Sequence, residues 1–405
     1  MRVFGVWMWP DSLLENGVEK TFDMCAHAGV TDVYLLTKGL NGSTIFPYAE
    51  AKQTVPGRDL LQEALDAAHS HGQRLHAWFT SAGDAAYAAA YPERALYHYL
   101  SGPHARIVSI TDCEYQRYMC RIIRHMVKHY AVDGLHLDYI RYNSVICGWS
   151  KEDMARYAAF GVDIGRIRHI MDKTFVGDNK DEAYIFNRYR CGDRDARLLA
   201  EARRLNVRVF AHILSDAARE EKPDIIISAA LMPEGAYDDL AFSDLHYGQH
   251  YTDMADIVDV ALPMAYSRSY DEDEQWVAMV TSGTMRRGLH TVTGIHAFEG
   301  GSGLSVQKDV AAVEAIKGAD GICLFREGAG CLAWKEAGDI ALYNPTKQGI
   351  ASLLLHGKGE THSAEVSVES GQKALLPAAF EPSCIQAFAA DGKELPVYLR
   401  TNTEA

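Results

Sequence analysis

Eight short apolar runs, separated by segments with helical spacing, constrain the fold of this chain more than any other feature of the sequence. In chain order the runs are Val3–Trp9, Asp32–Thr37, Arg74–Phe79, Gly134–Ile140, Ile225–Leu231, Val258–Tyr266, Leu289–His296 and Gly321–Phe325. Short strands that alternate with helices are typical of βαβ units, which build parallel sheets. Eight such units close into a barrel, so we predict an α/β fold of the (β/α)8 TIM-barrel class.

Two segments extend this simple pattern. The connection after the fourth strand is unusually long, about residues 143–223, and has helical spacing over 151–172 and 194–204. After residue 345 the pattern changes to short strands with glycine-containing turns. We therefore predict a barrel over residues 1–345 with a helical insertion, followed by a small β-rich appendage over residues 346–405.

Charge and hydropathy narrow the expected partners. The chain holds 54 acidic and 40 basic residues, for a formal net charge of −14, and it lacks a dense basic run. We therefore expect no nucleic-acid partner. No apolar run has the length of a membrane span, and the first residues resemble a strand instead of a leader. These features favour a cytoplasmic protein, with a secreted protein that has lost its leader as the alternative; homo-oligomerisation stays open.

Chemistry in a barrel enzyme is concentrated where the strands end. The predicted strand ends carry carboxylates, histidines, arginines and aromatic residues: Trp7, Trp9, His76, Trp78, His136, Asp138, Arg141, Tyr142, Glu234, Met264, Tyr266, Arg268, His296, Glu299, Arg326 and Glu327. Sugar hydrolysis uses this mixture, with two carboxyl groups, partners for hydroxyl groups and stacking surfaces. We therefore expect a carbohydrate substrate. The first strand lacks the HxH pair of metal-dependent amidohydrolase barrels, so we expect no metal and no cofactor.

The fourth strand carries the strongest candidate for a catalytic residue. Alternation along a strand places His136 and Asp138 on one side, while Leu135 and Leu137 face the helix layer. A carboxylate that faces the barrel axis is costly to bury without a partner or a purpose. We predict that Asp138 is catalytic, and the alternative is a structural ion pair with Arg141 or His136.

The same region resembles a known family. Residues 130–143, YAVDGLHLDYIRYN, are similar to the motif of the family-10-like glycosyl hydrolases, with Asn143 where proline is usual. Further matches are 75–79 (LHAWF), 227–234 (ISAALMPE), 248–249 (GQ), 259–266 (DVALPMAY) and 321–325 (GICLF). The resemblance covers roughly residues 1–330 and implies a TIM barrel that acts on a carbohydrate. Family 18 chitinase barrels carry DGxDxDxE here, and Ile140 stands at the position of their catalytic glutamate.

The partner of Asp138 is less constrained by the sequence. By analogy with amylase-type retaining barrels, Asp138 would be the nucleophile and Glu234 the general acid/base. A general acid must keep its proton near neutral pH, which requires a raised pKa. Glu299 and Glu327 are rivals for this role. Further alternatives are Asp112, Asp271 or the absence of a second carboxylate.

The remaining candidates are expected to bind substrate. They are Trp7, His76, Trp78, His136, Arg141, Tyr142, Tyr266, Glu299 and Arg326. The alternative for each aromatic residue and for His76 is core packing, and Arg141 has the alternative of holding Asp138 in place. Three functions compete: a retaining glycosidase, a non-catalytic carbohydrate-binding barrel, and a lyase or aldolase. A Schiff-base aldolase needs an inward lysine on a strand, and Lys38 is expected to lie just beyond the second one.

Overall fold

The computed structural model describes residues 2–357, 359–377 and 381–401. Met1 and, within the predicted appendage, residues 358, 378–380 and 402–405 lie outside the described residues. The strands are β1 (Val3–Met8), β2 (Asp32–Lys38), β3 (Arg74–Thr80), β4 (Ala95–His98), β5 (Gly102–Val108), β6 (Gly134–Asp138), β7 (Ile226–Leu231), β8 (Val260–Ala265), β9 (Val292–His296), β10 (Gly321–Phe325), β11 (Cys331–Glu336), β12 (Asp339–Tyr343), β13 (Ile350–Gly357), β14 (Glu360–Val368), β15 (Lys373–Leu376), β16 (Cys384–Ala389), β17 (Glu394–Leu395) and β18 (Val397–Leu399).

A closed parallel barrel forms the centre of the molecule, in the order β1-β10-β9-β8-β7-β6-β3-β2. The prediction of a (β/α)8 barrel is confirmed, and each predicted strand overlaps an observed one. The register pairs His76 with Gly134 and Thr80 with Asp138, so Asp138 lies at the carboxyl end of β6, beside the end of β3. This register decides which inward side chains reach the mouth of the barrel.

Helices surround the barrel. They are α1 (Pro10–Asn16), α2 (Val18–His27), α3 (Leu60–Ser70), α4 (Ala85–Ala90), α5 (Cys113–His129), α6 (Lys151–Phe160), α7 (Ile164–Phe175), α8 (Tyr184–Arg190), α9 (Arg194–Arg219), α10 (Tyr251–Met254), α11 (Glu274–Arg286) and α12 (Gly303–Glu314). Helix α5 shows why these segments are helical. Apolar residues at helical spacing, among them Met119, Ile122, Ile123 and Met126, are buried along one face. Asp112 caps its N-terminus, accepting a hydrogen bond from the backbone N–H three residues on.

The insertion after β6 forms α6, α7 and α8 and has a core of its own, which includes Trp149, Tyr157 and Met171. Arg203 on α9 joins this insertion to the barrel. Its buried guanidinium donates hydrogen bonds to the backbone carbonyls of Cys147, Ser144 and His246. Helix α9 is longer than the predicted segment 194–204, because its second half packs against α5 as one of the helices around the barrel.

The C-terminal strands form two four-stranded sheets, β15-β12-β11-β18 and β14-β13-β16-β17, that share one apolar core. Strands β11 and β12 precede residue 346 but pair with β18 and β15, so the β-rich unit begins at Cys331. It packs against the barrel through α12, where an added Cβ on Gly303 would collide with the carbonyl of Ile385. Among the described residues, no helix is long and apolar enough to cross a membrane.

Candidate active site

Inward side chains fill the barrel in layers, and the deepest layer contains His76. This histidine pairs in register with the first residue of β6, far from the barrel mouth. Its ring stacks on Tyr34 with a centroid separation of 4.6 Å, and its Nε2 lies 2.9 Å from Oδ1 of Asp32. Arg74 completes this cluster through a contact of 2.8 Å with the same carboxylate. His76, which was predicted to bind substrate, is therefore a core residue.

The next layer contains Trp7 and His136. The indole Nε1 of Trp7 donates to Nε2 of His136 at 3.0 Å, and Nδ1 of His136 lies 2.9 Å from the Ser228 hydroxyl. Because Nε2 accepts, the ring proton is on Nδ1 and the imidazole is neutral. Burial, together with the nearby charge of His76, holds the pKa of His136 well below its usual value. Trp7 and His136 thus pack the core, contrary to the prediction that they bind substrate.

Asp138 lies above these layers, at the barrel mouth. Its side chain points inward, because Oδ2 accepts a hydrogen bond of 3.2 Å from the indole of Trp78. Oδ1 accepts from the backbone N–H of Tyr139 at 2.7 Å and from Arg141 at 3.0 Å. The residue is 5% exposed. All three of these partners are hydrogen-bond donors, so both carboxyl oxygens act as acceptors.

The chain turns sharply directly after Asp138. Tyr139 adopts a left-handed backbone with φ of 54°, which is uncommon for a residue with a side chain. The turn ends β6 and directs the Tyr139 N–H back to the carboxylate. It also allows Arg141 to reach Asp138 while its guanidinium lies over the Tyr139 ring, 4.7 Å from the centroid. Of the two alternatives for the Asp138 ion pair, the structure contains the pair with Arg141.

Glu234 follows β7 on the short helical turn Pro233–Ala236. The residue is 7% exposed, and its Oε1 accepts a hydrogen bond of 3.3 Å from the hydroxyl of Tyr270. Its Oε2 is buried and has no hydrogen-bond partner among the described residues. Burial raises the pKa of Glu234, opposed by hydrogen bonds from its own backbone and Tyr270 and by the charge of Arg141. Arg141 therefore acts on both candidate carboxyl groups.

The rival carboxylates lie elsewhere. Glu299 is exposed and forms an ion pair of 2.9 Å with Lys393, so it is neither the second carboxylate nor a substrate contact. Asp112 caps α5, and Asp271 is an exposed residue of a left-handed turn. Glu327 is buried behind the barrel wall, where burial raises its pKa to about 7. Glu234, which follows the strand adjacent to β6, is thus the remaining candidate.

Two other candidates are engaged in structural contacts. Tyr142 is fully buried under the insertion, where its hydroxyl accepts a hydrogen bond from Asn206 and Arg203 covers its ring at 3.7 Å. It is therefore not part of a stacking surface for sugars. Lys38 is the last residue of β2, not a residue beyond it, and its buried ammonium lies 3.0 Å from Asp84. Because the Lys38 side chain is fully buried, a carbonyl substrate has no access to its amine.

Four predicted residues do meet at the barrel mouth. Trp78 and Arg141 contact Asp138 directly. Tyr266 is partly exposed, and after burial the charge of Asp138 is the largest influence that raises its pKa. Arg326 lies over the ring of Trp9 at 3.7 Å. The mouth therefore combines two carboxylates, two arginines and aromatic surfaces. No group of three or more potential metal ligands occurs among the described residues.

The two carboxyl groups of this site lie within a segment that matches a known family. A sequence model described as "Glycosyl hydrolase-like 10" matches residues 40–281, more than half of the chain. The chain belongs to the glycosyl hydrolase-like 10 family. The matched segment contains both Asp138 and Glu234.

Solved structures share the fold of this family member. The PgaB (BpsB) glycoside hydrolase domain from Bordetella bronchiseptica matches with a TM-score of 0.64 and 14% identity, over 81% of this chain and 94% of that one. The catalytic domain of a β-amylase from Paenibacillus polymyxa gives 0.57 and 11%, over 80% and 92%. A β-galactosidase from the psychrophilic Marinomonas ef1 gives 0.57 and 13%, over 80% of this chain and 54% of that chain. No curated protein sequence gives a match.

The sequence analysis predicted Trp7, and not Trp9, as a substrate-binding residue. Tyr270 was not among the predicted site residues. Trp9 follows β1 by one residue and is partly exposed, whereas Trp7 is enclosed by the barrel. The position of Trp9 at the very end of the strand was the available signal. Tyr270 lies on the loop after β8, and its contact with Glu234 depends on how that loop folds back. No local pattern in this family member's sequence indicates that contact.

Proposed function

We propose that this chain is a retaining glycoside hydrolase in which Asp138 is the nucleophile and Glu234 is the general acid/base. One observation carries the proposal: two buried carboxyl groups stand at the carboxyl ends of adjacent parallel strands, since Asp138 ends β6 and Glu234 follows β7. A hydrolase of this class needs two carboxyl groups on either side of the glycosidic bond, one ionised and one protonated. Membership of the glycosyl hydrolase-like 10 family supports the reaction class.

The surroundings of the two carboxyl groups differ in their hydrogen bonds. Asp138 accepts hydrogen bonds from Trp78, Tyr139 and Arg141, which together hold both of its oxygens in place. Glu234 has one buried oxygen without a partner among the described residues, and burial raises its pKa. A proton on that oxygen would be ready for transfer. This division of roles is the one that a retaining mechanism requires.

The proposed reaction proceeds in two steps. In the first step, an oxygen of Asp138 forms a bond to the anomeric carbon while the bond to the leaving-group oxygen breaks. Glu234 gives its proton to that oxygen. In the second step, water attacks the anomeric carbon and releases Asp138, and Glu234 takes the proton from the water. Arg141 and Trp78 keep Asp138 oriented, and Tyr266 lies beside the reacting group. Stereochemistry at the anomeric carbon is retained after the two inversions.

The test is a panel of aryl glycosides with both anomeric configurations, followed by NMR of the first product formed. We expect hydrolysis of at least one substrate with retention of configuration, and loss of that activity in Asp138→Asn. The matched control is Glu299→Gln, which changes an exposed glutamate on the loop after β9 and should retain full activity. Inverted product would contradict the nucleophilic role of Asp138.

A non-catalytic carbohydrate-binding barrel is the second candidate. The observation in its favour is the close ion pair between Asp138 and Arg141, because such a pair also stabilises a buried charge without any chemistry. Under this alternative, oligosaccharides bind but the panel is not hydrolysed. Asp138→Asn would then weaken binding or folding and leave no catalytic signal to lose.

A further inference from the structure

We infer that a groove beside the catalytic mouth, built around Trp9, is a subsite for a neutral pyranose unit of the substrate. This inference rests on the proposed function, since it assigns a second contact for the same glycan. The groove has a volume of about 320 Å³, and its lining includes Trp9, Asp11, Leu36, Leu40, Asn41 and Ile45. That volume lies at the small end of the range for ligand pockets.

The groove opens on the same face of the barrel as Asp138. Trp9 follows the carboxyl end of β1, and Leu36 lies near the carboxyl end of β2. Strand β2 is separated from β6 only by β3, and β1 is the next strand beyond β2, so the strand ends at the groove lie about 10 to 15 Å from the end of β6 at the usual strand spacing. Trp9 and Leu36 also belong to the aromatic cluster that contains Trp78. A short oligosaccharide can therefore reach from one to the other.

Trp9 differs from the other tryptophans of the chain in its indole N–H. The chain has six tryptophans, and five of them donate this hydrogen to a group within the protein: Trp7, Trp78, Trp149, Trp276 and Trp334. The Trp9 N–H has no acceptor among the described residues, although the ring is half-buried. An indole that is packed in place yet keeps a free donor is suited to a ligand that offers both an apolar face and hydroxyl groups.

Arg326 supports the indole from another side. Its guanidinium lies 3.7 Å from the Trp9 ring centroid but is not among the residues that line the groove. The cation therefore backs the ring and fixes its orientation, and the groove stays open for a sugar.

The polar rim of the groove indicates a neutral sugar. Asp11 is exposed and brings a negative charge with acceptor oxygens, which suit sugar hydroxyl groups and repel a uronic acid. The amide oxygen of Asn41, a groove-lining residue, accepts from Ser43, so its amide NH2 remains available as a donor. Leu36, Leu40 and Ile45 supply the apolar floor. Together these groups match a pyranose ring that carries hydroxyls and no charge.

The experiment measures binding without hydrolysis. Neutral oligosaccharides of three to six units (cello-, xylo-, manno- and chito-series) are titrated calorimetrically into Asp138→Asn protein, with an oligogalacturonide as the charged comparison. For the tightest neutral ligand we expect adding Trp9→Ala to weaken binding about tenfold, or about 1.4 kcal/mol. Trp9→Phe keeps an aromatic face and should lose less. Leu375→Ala, an exposed apolar residue of the C-terminal sheets, is the control and should bind like its parent.

The outcomes separate this inference from the proposed function. Unchanged binding in Trp9→Ala, or no binding of any neutral oligosaccharide, overturns the subsite even if the parent protein hydrolyses aryl glycosides. Binding that depends on Trp9 in a protein that hydrolyses nothing upholds the subsite and overturns the glycosidase. If Trp9→Ala fails to fold, Asp11→Ala on the exposed rim provides the same test, with a loss of about threefold expected and unchanged affinity overturning the subsite.

Discussion

Glu234 and Glu327 are both buried carboxyl groups that directly follow a barrel strand, yet their surroundings differ. Glu234 lies at the mouth, where Tyr270 donates to it and the charge of Arg141 reaches it. Glu327 lies behind the barrel wall, beside a cavity of about 10 Å³ that is too small for a sugar ring. Burial raises the pKa of both. A raised pKa therefore marks burial, and a catalytic role also needs a second carboxylate and room for substrate.

The largest expected effect concerns Asp138, the carboxylate that we propose works with Glu234 and that has no counterpart beside Glu327. Asp138→Ala should lower kcat/KM by about 10⁴-fold, because the nucleophile is removed while binding groups remain. Sodium azide should restore part of the activity and yield a glycosyl azide, since a small anion can occupy the vacated space. The measurement is product analysis of the azide reaction. Full activity in Asp138→Ala would contradict the proposal that Glu234, unlike Glu327, works with a catalytic carboxylate.

The next effect compares the two glutamates directly. Glu234→Gln should lower kcat/KM by about 10³-fold for substrates with poor leaving groups, because the proton donor is lost. The matched variant Glu327→Gln should keep the activity of the parent. Steady-state kinetics on a poor and a good aryl leaving group check this, and the deficit should shrink with the good one. Equal losses in both variants would contradict the assignment.

A smaller effect concerns the pH dependence of stability. We expect Glu327 to contribute to it, although we expect Glu327 to have no role in catalysis. Because the pKa of Glu327 is raised to about 7, its stabilising effect is present below its usual pKa and is lost as pH rises through 7. The parent should lose on the order of 3 kcal/mol of unfolding free energy between pH 5 and pH 8 from this group. Urea denaturation at both pH values measures it. Glu327→Gln should lack this part of the pH dependence, whereas Glu299→Gln should retain it.

The smallest effect makes Glu234 more similar to Glu327. The Tyr270 hydroxyl favours the ionised form of Glu234, so Tyr270→Phe should raise the pKa of that carboxyl further. Because the acid works only while protonated, the alkaline limb of the kcat/KM profile should move to higher pH. A pH–rate profile of the two proteins, with Glu234→Gln as the variant that lacks the limb, decides the matter. A shift to lower pH would mean that another group controls the limb.

The strands and the inward direction of Asp138 could be predicted, because strand period and alternation are local properties of the sequence. The depth of each inward side chain within the barrel could not be predicted in this way. Trp7, His76 and His136 have the same inward direction as Asp138, but their height depends on the register between neighbouring strands, such as His76 opposite Gly134. Register arises from the packing of the whole barrel, so these residues were expected at the mouth and lie below it.

Loop residues escaped prediction for a related reason. Glu299 follows β9, but its loop turns toward Lys393 on the C-terminal unit, a partner 94 positions away in the chain. Tyr270 reaches Glu234 across 36 positions. The C-terminal unit itself begins at Cys331, because β11 finds its parallel partner β18 near the end of the chain. Contacts of this kind depend on tertiary structure, so local sequence patterns do not predict them.

The buried guanidinium of Arg203 has a consequence for the rigidity of the loops beside the barrel mouth. It holds the loop after β6 and the carbonyl of His246 together, and both lie next to the segments that carry Asp138 and Glu234. Opening this wall would leave the buried guanidinium of Arg203 without its hydrogen-bond acceptors, at a free-energy cost on the order of several kcal/mol. We therefore expect this wall to keep the same shape with and without a bound ligand.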